Sequence, residues 1–211
     1  MNHHTEPGIT VTGIGKSAVA PDLMSVDLGI SVLAASVAEG RALTAERARA
    51  LVAALLERGV ANDDIQTVRY TIHPEYDHGD GEQRLRGYRV GNELQVAIRE
   101  LGSAGEVLDH AADAGGDEVM INNVSFSVED QTAVRDQARE AAWADARSRA
   151  EHLARLSGQA LGEVVDIVET TGRPPGPGPL HRLAMTAEES TPVEAGTMAI
   201  TVTLEVRFGL G

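Results

Sequence analysis

The chain has no cysteine and one tryptophan, and aromatic residues make up only 3% of its 211 positions. Without cysteine there can be no disulfide, thiolate metal site or cysteine nucleophile, and the compartment can be oxidising or reducing. With so few aromatic side chains, the core has to be built from valine, isoleucine, leucine and alanine. Thirty-two acidic against eighteen basic residues give a net charge of −14, which disfavours nucleic-acid partners and anionic membranes.

Long apolar runs are missing as well. No stretch of about 18 apolar residues occurs, and residues 1–8 have neither the basic nor the apolar part of a secretory signal. The sequence therefore predicts no transmembrane segment. It predicts a cytoplasmic protein as written, or a periplasmic one if the N-terminus has been trimmed. Residues 1–8 are expected to form a disordered tail.

Seven stretches have the alternation or the β-branched runs that are typical of strands. They are 9–20, 24–33, 65–76, 85–98, 118–128, 161–169 and 198–208. The first two are expected to form a hairpin, with a bulge or a twist at Gly13 and Gly15. The third and fourth are expected to form a longer hairpin through a polar turn at 77–82. The first and last strands are expected to pair, since each needs a neighbour.

Three further stretches are predicted to be helices. Ser36 is the expected N-cap of the first, with Glu39 completing a capping box, and Gly59 ends it. The second begins at Ser103 and closes at the two glycines of 115–116.

The third predicted helix, 132–156, is the longest, with Thr132 as its N-cap and Gly158 as its left-handed stop. Its expected inward face is Val134, Ala138, Ala141, Ala142, Asp145, Arg149, His152, Leu153 and Leu156. A face so rich in alanine indicates close packing across a sheet, because a helix of this kind is not stable alone.

The resulting order, ββαββαβαββ, predicts an α+β protein with antiparallel or mixed sheets and three helices. Residues 24–128 read as a split βαβ, ferredoxin-like core. Residues 9–210 are expected to form one unit of two lobes, 9–78 with 160–210 and 86–158. A proline- and glycine-rich stretch, 170–193, is expected to be a mobile excursion.

A series of short motifs is similar to one known family. They are 9–15 with Ala20-Pro21-Asp22, Gly59-Val60 before 64–67, 74–76, Gly87-Tyr88 with Asn92, alanines of 138–150, Gly158, Leu161-Gly162 and 192–196. In this order they resemble the SIMPL family, formerly a domain of unknown function, over residues 9–210. The resemblance implies a periplasmic, envelope-associated protein that assembles into a large hollow ring-like homo-oligomer, with members linked to oxidative-stress tolerance. It supplies no catalytic residue and no cofactor.

Metal-binding residues gather at one predicted hairpin tip. His73, Asp77, His78 and Asp80 could hold a divalent cation, but their spacing matches no known ligand set and a solvated turn is favoured.

Other polar residues have simpler interpretations. His110 and His152 are expected on helix surfaces, and Asn92 is expected to satisfy a buried backbone group. Ser125 and Ser127 lack a nucleophile elbow. The sequence therefore predicts no catalytic residue, no metal ligand and no cofactor site.

The leading hypothesis is a non-enzymatic, self-assembling structural or interaction protein of the SIMPL type, linked to stress tolerance or to the envelope. Its predicted partner is a second copy of the chain, and Trp143 on the long helix is the candidate oligomer contact. The alternative is a module that binds a small ligand or a divalent metal, in the cleft between the lobes or at the 73–80 hairpin tip.

Overall fold

A computed structural model describes residues 7–79, 82–170, 191 and 193–211, with the backbone alone at positions 78, 79 and 82. The elements are β1 (Gly8–Val19), β2 (Leu23–Ala34), α1 (Val37–Glu57), β3 (Ile65–Gly79), β4 (Glu82–Ile98), α2 (Ala104–Gly115), β5 (Val119–Ser127), α3 (Thr132–Leu156), β6 (Leu161–Thr170) and β7 (Met198–Leu210). Their order is the predicted one, and the α+β class is confirmed.

The described residues form two compact units. A terminal unit contains 7–20, 128–170 and 196–211, and a central unit contains the remaining described residues, 21–127 with its gap and 191–195 with its gap. The lobes expected from the sequence divide the chain elsewhere. The boundaries differ because β2 and β3 belong to one sheet with β4 and β5, whereas β1 pairs with β7 in the other sheet.

The central unit is a four-stranded antiparallel sheet in the order β3-β4-β2-β5. With α1 and α2, it has the β-α-β-β-α-β arrangement predicted as ferredoxin-like. Alternate residues of β2 (Met24, Val26, Leu28 and Ile30) are fully buried and meet Leu51, Leu55, Val107 and Leu108 of the helices. Period-two alternation on a central strand thus builds this core.

The predicted hairpin of the first two strands is wrong. β2 lies between β4 and β5, whereas β1 pairs with β7 from Gly8 opposite Gly209 to Val19 opposite Met198. The predicted pairing of the first and last strands is therefore confirmed. A central strand of a sheet has no free edge, so β2 has no place for β1 beside it.

The terminal unit is a three-stranded antiparallel sheet, β1-β7-β6, with α3 across one face. The residues of β7 that meet the helix are Val202, Leu204, Val206 and Phe208. The buried stripe of α3 is Ala138, Ala142, Ala146, Ala150 and Ala154. The predicted alanine-rich packing is confirmed, but the predicted face is partly wrong. Five residues of that face are exposed, because contact follows a strict four-residue spacing: Ala141, Arg149, His152, Leu153 and Leu156.

Gly13 and Gly15 mark a close contact between β1 and α3. The β1–β7 register runs through both positions without a shift, so the predicted bulge is wrong. A Cβ added at Gly13 would stand 2.7 Å from the Cβ of Ala146, and one at Gly15 would overlap the carbonyl oxygen of Ala138. Glycine here lets a helix lie directly on a strand backbone.

The predicted helix ends are confirmed except at Thr132, and Ser103 and Gly116 are the cap positions of α2. Ser36 Oγ accepts the Glu39 N–H at 3.2 Å, and Gly59 and Gly158 have φ of +84° and +71°. The Thr132 N-cap is wrong, since Thr132 is already the first helical residue. Its N–H donates to Asp130 Oδ1 at 2.9 Å, and hydrogen bonding by Thr132 lowers the pKa of Asp130.

Some predictions fall on the limits of the described chain. Gly8 already belongs to β1, and the rest of the expected tail, apart from Pro7, lies outside the described residues. The expected excursion loses Thr170 to β6, and its positions 171–190 and 192 lie outside them too. The polar turn is shorter than predicted, because β3 extends to Gly79 and β4 starts at Glu82.

Candidate functional site

The two sheets have four outer strands, which are the places where backbone N–H and C=O groups are open to another chain. They are β1 and β6 in the terminal unit and β3 and β5 in the central unit. Soluble proteins normally block such edges with bulges, proline, charge or a covering element. The four edges differ in how they are blocked.

The edge of β1 is covered by α3. The Asp145 carboxylate accepts the Ile14 N–H at 2.9 Å, and Ser17 Oγ donates to Gln137 Oε1 at 2.9 Å. The Ile14 N–H is the main reason that the pKa of Asp145 lies below its usual value, followed by the hydrogen bond from Arg149. An ionised carboxylate therefore occupies the Ile14 N–H, which an added strand would need as a donor for its own carbonyl oxygen.

The edges of the central unit are interrupted. On β3, Pro74 has no N–H, and the register against β4 shifts around Val68. On β5, the register against β2 shifts at Asn122, which is left unpaired. Bulges and proline both disturb the regular spacing that strand addition requires.

The edge of β6 has a different character. Its register shifts before Asp166, but from Asp166 to Thr170 it pairs regularly with β7. Proline and lysine are absent from β6, and Ile167 and Val168 are 52% and 47% exposed. After two register shifts, β6 therefore has one regular stretch, Asp166–Thr170, with exposed β-branched side chains beside the carboxylates of Asp166 and Glu169.

Beside this edge lies a groove between α3 and β6, which we name the β6 groove. Its volume is ≈ 430 Å³, and its lining is Arg139, Glu140, Trp143, Ile167, Glu169 and Leu204. Ile167 stands opposite Val206 and therefore points to the helix side of the sheet. The helix packs mainly on β1 and β7, so within the described part of the chain the helix side of β6 is left open.

One end of the β6 groove is closed by an ion pair. Arg139 donates from Nε to Glu169 Oε2 at 2.8 Å and from Nη2 to Glu169 Oε1 at 3.2 Å, the two-bond geometry that suits a guanidinium. This hydrogen bonding lowers the pKa of Glu169 and raises that of Arg139. The apolar part of the lining is Trp143, Ile167 and Leu204, and the Trp143 ring packs at a tilt on Phe208 with ring centroids 6.1 Å apart.

Comparison with known proteins shows which family the chain belongs to. The sequence profile described as SIMPL, protein of unknown function (DUF541), matches residues 9–208. The chain belongs to the SIMPL family.

Two kinds of relative show how far the likeness of this SIMPL protein extends. The 26 kDa periplasmic immunogenic protein of Brucella melitensis is 32% identical over 220 residues, covering 97% of this chain and 85% of the relative. The uncharacterized protein YggE of Escherichia coli is 30% identical over 161 residues, covering 76% of this chain and 65% of the relative. Neither name describes a catalytic activity.

The sequence identified Trp143 as a candidate oligomer contact, but it did not show how far its side chain is buried. Trp143 is half-buried on Phe208 and lines the β6 groove, so it is neither fully in the core nor fully exposed. Ile167 and Val168 were missed as site residues, although their run of β-branched residues was visible. The missing information was that β6 is an outer strand with one side uncovered.

The other candidate residues are dispersed. His73 and Asp77 lie on β3, while Asp80 and the His78 side chain are outside the described part of the chain. Within the described part, no group of three histidine or acidic side chains is placed to hold a metal ion. His110 lies 3.4 Å from Glu57 and is not among the residues that line the β6 groove. No described helix is long and apolar enough to cross a membrane.

Asn92 does not take its predicted role through its side-chain oxygen. It lies on β4 opposite Ile30, and its Oδ1 is buried without a hydrogen-bond partner among the described residues. Ser125, by contrast, donates from Oγ to the Ser25 carbonyl at 3.4 Å, a strand-to-strand contact rather than a nucleophile site.

Proposed function

We propose that this SIMPL protein is a non-enzymatic structural protein that assembles with copies of itself through the open edge of β6. The observation that carries the proposal is the contrast between β6 and the other three outer strands. Asp145 accepts one N–H of β1, Pro74 removes one from β3, and β5 is bulged at Asn122, whereas the 166–170 stretch of β6 pairs regularly and exposes Ile167 and Val168. Exposed edges of this kind favour pairing with another strand.

A second copy fits this edge with specific partners. In an antiparallel pair of β6 strands centred on Val168, each Val168 faces its counterpart, and Asp166 faces Thr170. Ile167 then faces Glu169, whose carboxylate is held by Arg139 of its own chain. No carboxylate of the regular stretch lies opposite another carboxylate, which matters for a chain of net charge −14. The two three-stranded sheets become one sheet of six strands.

The β6 groove supports the same contact. Ile167 and Trp143 leave apolar surface beside the joined edge, and partly exposed aromatic side chains are frequent anchors of protein interfaces. This pairing has two-fold symmetry and by itself closes with two copies, so any larger assembly requires a second contact surface.

Thiol cross-linking tests the proposal directly, since the natural chain has no cysteine. We expect Val168→Cys to give covalent dimers with a short bismaleimide at dilute protein concentration, because the two thiols face each other. Val68→Cys is the matched control. Val68 is 49% exposed, as Val168 is 47%, but it lies on the strand that Pro74 interrupts.

The native mass from light scattering completes the test. The parent should be at least a dimer, and Val168→Lys should shift it to monomer by placing two ammonium groups face to face. A monomeric parent rejects the proposal. The contact at β6 is rejected if Val168→Lys keeps the oligomeric mass of the parent and Val168→Cys cross-links no better than the Val68→Cys control.

The compartment is a further part of the proposal. The Brucella relative is periplasmic by name, and we place this chain in the periplasm by that similarity. A link to the envelope is proposed on the same ground, and a link to stress tolerance is proposed from the family resemblance alone. Fractionation of the native cells should find the protein with periplasmic markers, and its recovery with cytoplasmic markers would contradict the placement.

A further inference from the structure

The hydrogen bond between Ile14 of β1 and Asp145 of α3 shows which N–H groups of β1 point to its outer edge. The Ile14 N–H points away from β7, because it donates to Asp145 on α3. In an antiparallel pair, residues alternate between those bonded to the neighbouring strand and those that point outward. The β1–β7 register is unbroken from Gly8 to Val19, so the N–H of Thr12 points outward on the same side as that of Ile14.

The spacing of the two elements brings this N–H beside the next turn of α3. Two residues of a strand span about 6.6 Å, and one turn of four helical residues spans about 6 Å. Gly15 lies on Ala138 and Ala142, and Gly13 lies on Ala142 and Ala146, so β1 and α3 run in opposite directions. Thr12 therefore stands one helical turn beyond Asp145, next to Arg149.

That position opens into a pocket, which we name the β1 pocket. Its volume is ≈ 520 Å³, and its lining includes Val11, Thr12, Ser148, Arg149, His152 and Arg155. No described residue accepts a hydrogen bond from the Thr12 N–H. One helical turn earlier, the Asp145 carboxylate accepts the N–H of Ile14. The side chains near the Thr12 N–H include the basic residues Arg149, His152 and Arg155 instead.

The charges of the β1 pocket are only partly balanced. Arg149 is paired with Asp145, whose oxygens lie 3.0 Å from its Nε and Nη2. Arg155 has its Nη2 3.3 Å from His152 Nδ1, and no carboxylate of the described chain lies within ion-pair distance of Arg155. An unbalanced guanidinium at a pocket is notable in a chain with 32 acidic residues.

We propose that the β1 pocket binds a carboxylate, which accepts the Thr12 N–H and pairs with Arg155 and His152. The ligand repeats the chemistry of Asp145 on the Ile14 N–H, one turn along the same helix. The C-terminal end of α3 carries about half a negative elementary charge and opposes an anion. The full positive charge of Arg155, together with the guanidinium of Arg149, is larger than this half negative charge. Ser148 also lines the β1 pocket.

Acetate and inorganic phosphate are suitable probes. In ¹⁵N-labelled protein at constant ionic strength, acetate should give a saturable shift of the Thr12 amide resonance, with sodium chloride as the reference salt. Arg155→Gln should weaken acetate binding about fivefold, the size expected for one exposed charge contact. Phosphate binding as tight as that of acetate would overturn the carboxylate assignment.

Arg147→Gln is the matched control. It removes the same charge from the same helix, but Arg147 pairs with Glu151 at 3.0 Å and does not line the β1 pocket. Acetate affinity should be unchanged in this variant. An equal loss in both variants, or a Thr12 resonance that follows acetate without saturating, would overturn the proposal.

Dilution distinguishes the source of the carboxylate. If an acidic side chain of a second copy occupies the pocket, the Thr12 resonance shifts with protein concentration before any acetate is added, and acetate reverses the shift. If the ligand is a free small carboxylate, the resonance is independent of protein concentration. The site does not depend on β6 pairing, so Val168→Lys should retain acetate binding.

Discussion

The backbone of Gly15 lies against the carbonyl of Ala138, so closely that an added Cβ would overlap the carbonyl oxygen. The same arrangement recurs at Gly13 and Ala142, two strand residues and one helical turn away. Such spacing lets Cα–H groups of the strand approach helix carbonyls. The contact between β1 and α3 therefore depends on two glycines and a stripe of alanines, while β7 supplies the large apolar side chains of this unit.

Gly15→Ala should destabilise the terminal unit strongly. The new methyl group meets main-chain atoms of α3, which cannot move aside as a flexible side chain would, and overpacking of this kind costs about 3 kcal/mol. Urea unfolding followed by circular dichroism measures the loss. Gly102→Ala is the control, because its nearest added contact is the Glu100 side chain at 3.5 Å. Equal effects of the two substitutions would contradict the close-packing explanation.

Asp145→Asn should change how stability depends on pH. The folded state lowers the pKa of Asp145, so its carboxylate stabilises the protein fully above the unfolded pKa of about 3.9. That contribution is lost as pH falls through the lower folded pKa. The variant should thus be less stable than the parent at pH 7, with a difference that shrinks below about pH 4.

Unfolding midpoints measured from about pH 2.5 to 7, across the usual aspartate pKa, would show this convergence. Asp113→Asn, at an exposed position of α2, serves as the control for removal of one negative charge. A stability difference for Asp145→Asn that stays constant across this range would show that the lowered pKa is not the cause.

Thr191→Val should raise the pKa of Asp109 toward its ordinary value. The Thr191 hydroxyl and N–H both donate to the Asp109 carboxylate, the N–H at 3.0 Å, and the hydroxyl contact is the larger cause of the lowered pKa. Carbon-detected NMR titration of Asp109 measures the change. Thr191→Ser keeps a hydroxyl and should keep the low pKa, so a rise in both variants would argue against the hydroxyl.

Trp143→Ala should weaken both the fold and the self-assembly. Loss of the contact with Phe208 costs about 2 kcal/mol, less than for a fully buried tryptophan because Trp143 is half-buried. Leu156→Ala, on the same helix but 72% exposed, should change stability by less than about 0.5 kcal/mol. Unfolding and native mass are measured separately. A variant that melts and assembles like the parent would remove Trp143 as an anchor.

Fluorescence offers an independent reading of the same residue, since Trp143 is the only tryptophan. If copies join at β6 and cover the β6 groove, the emission maximum should move to longer wavelength on dilution. Val168→Lys should show the dilute spectrum at all concentrations.

Local signals in the sequence were enough for the order of elements. Alternation in β2 and β7, the Ser36 cap and the left-handed glycines at 59 and 158 all act within a few neighbouring residues. The split βαβ core and the pairing of the first and last strands followed from the same patterns. Even the glycines of β1 were conspicuous, although their purpose was not.

What the tertiary structure decided is which surfaces meet. Period-two alternation shows that a strand has a buried face, but it does not show which strand lies beside it. The pattern alone therefore could not reveal that β1 and β2 belong to different sheets. In α3, Ala142 and Ala146 are buried and Leu153 is not, because the backbone at Gly13 and Gly15 comes so close to the helix that only small residues fit between them. Whether an edge is open, as at β6, or an N–H faces a basic pocket, as at Thr12, depends on neighbours that are distant along the chain. Only packing brings such residues together.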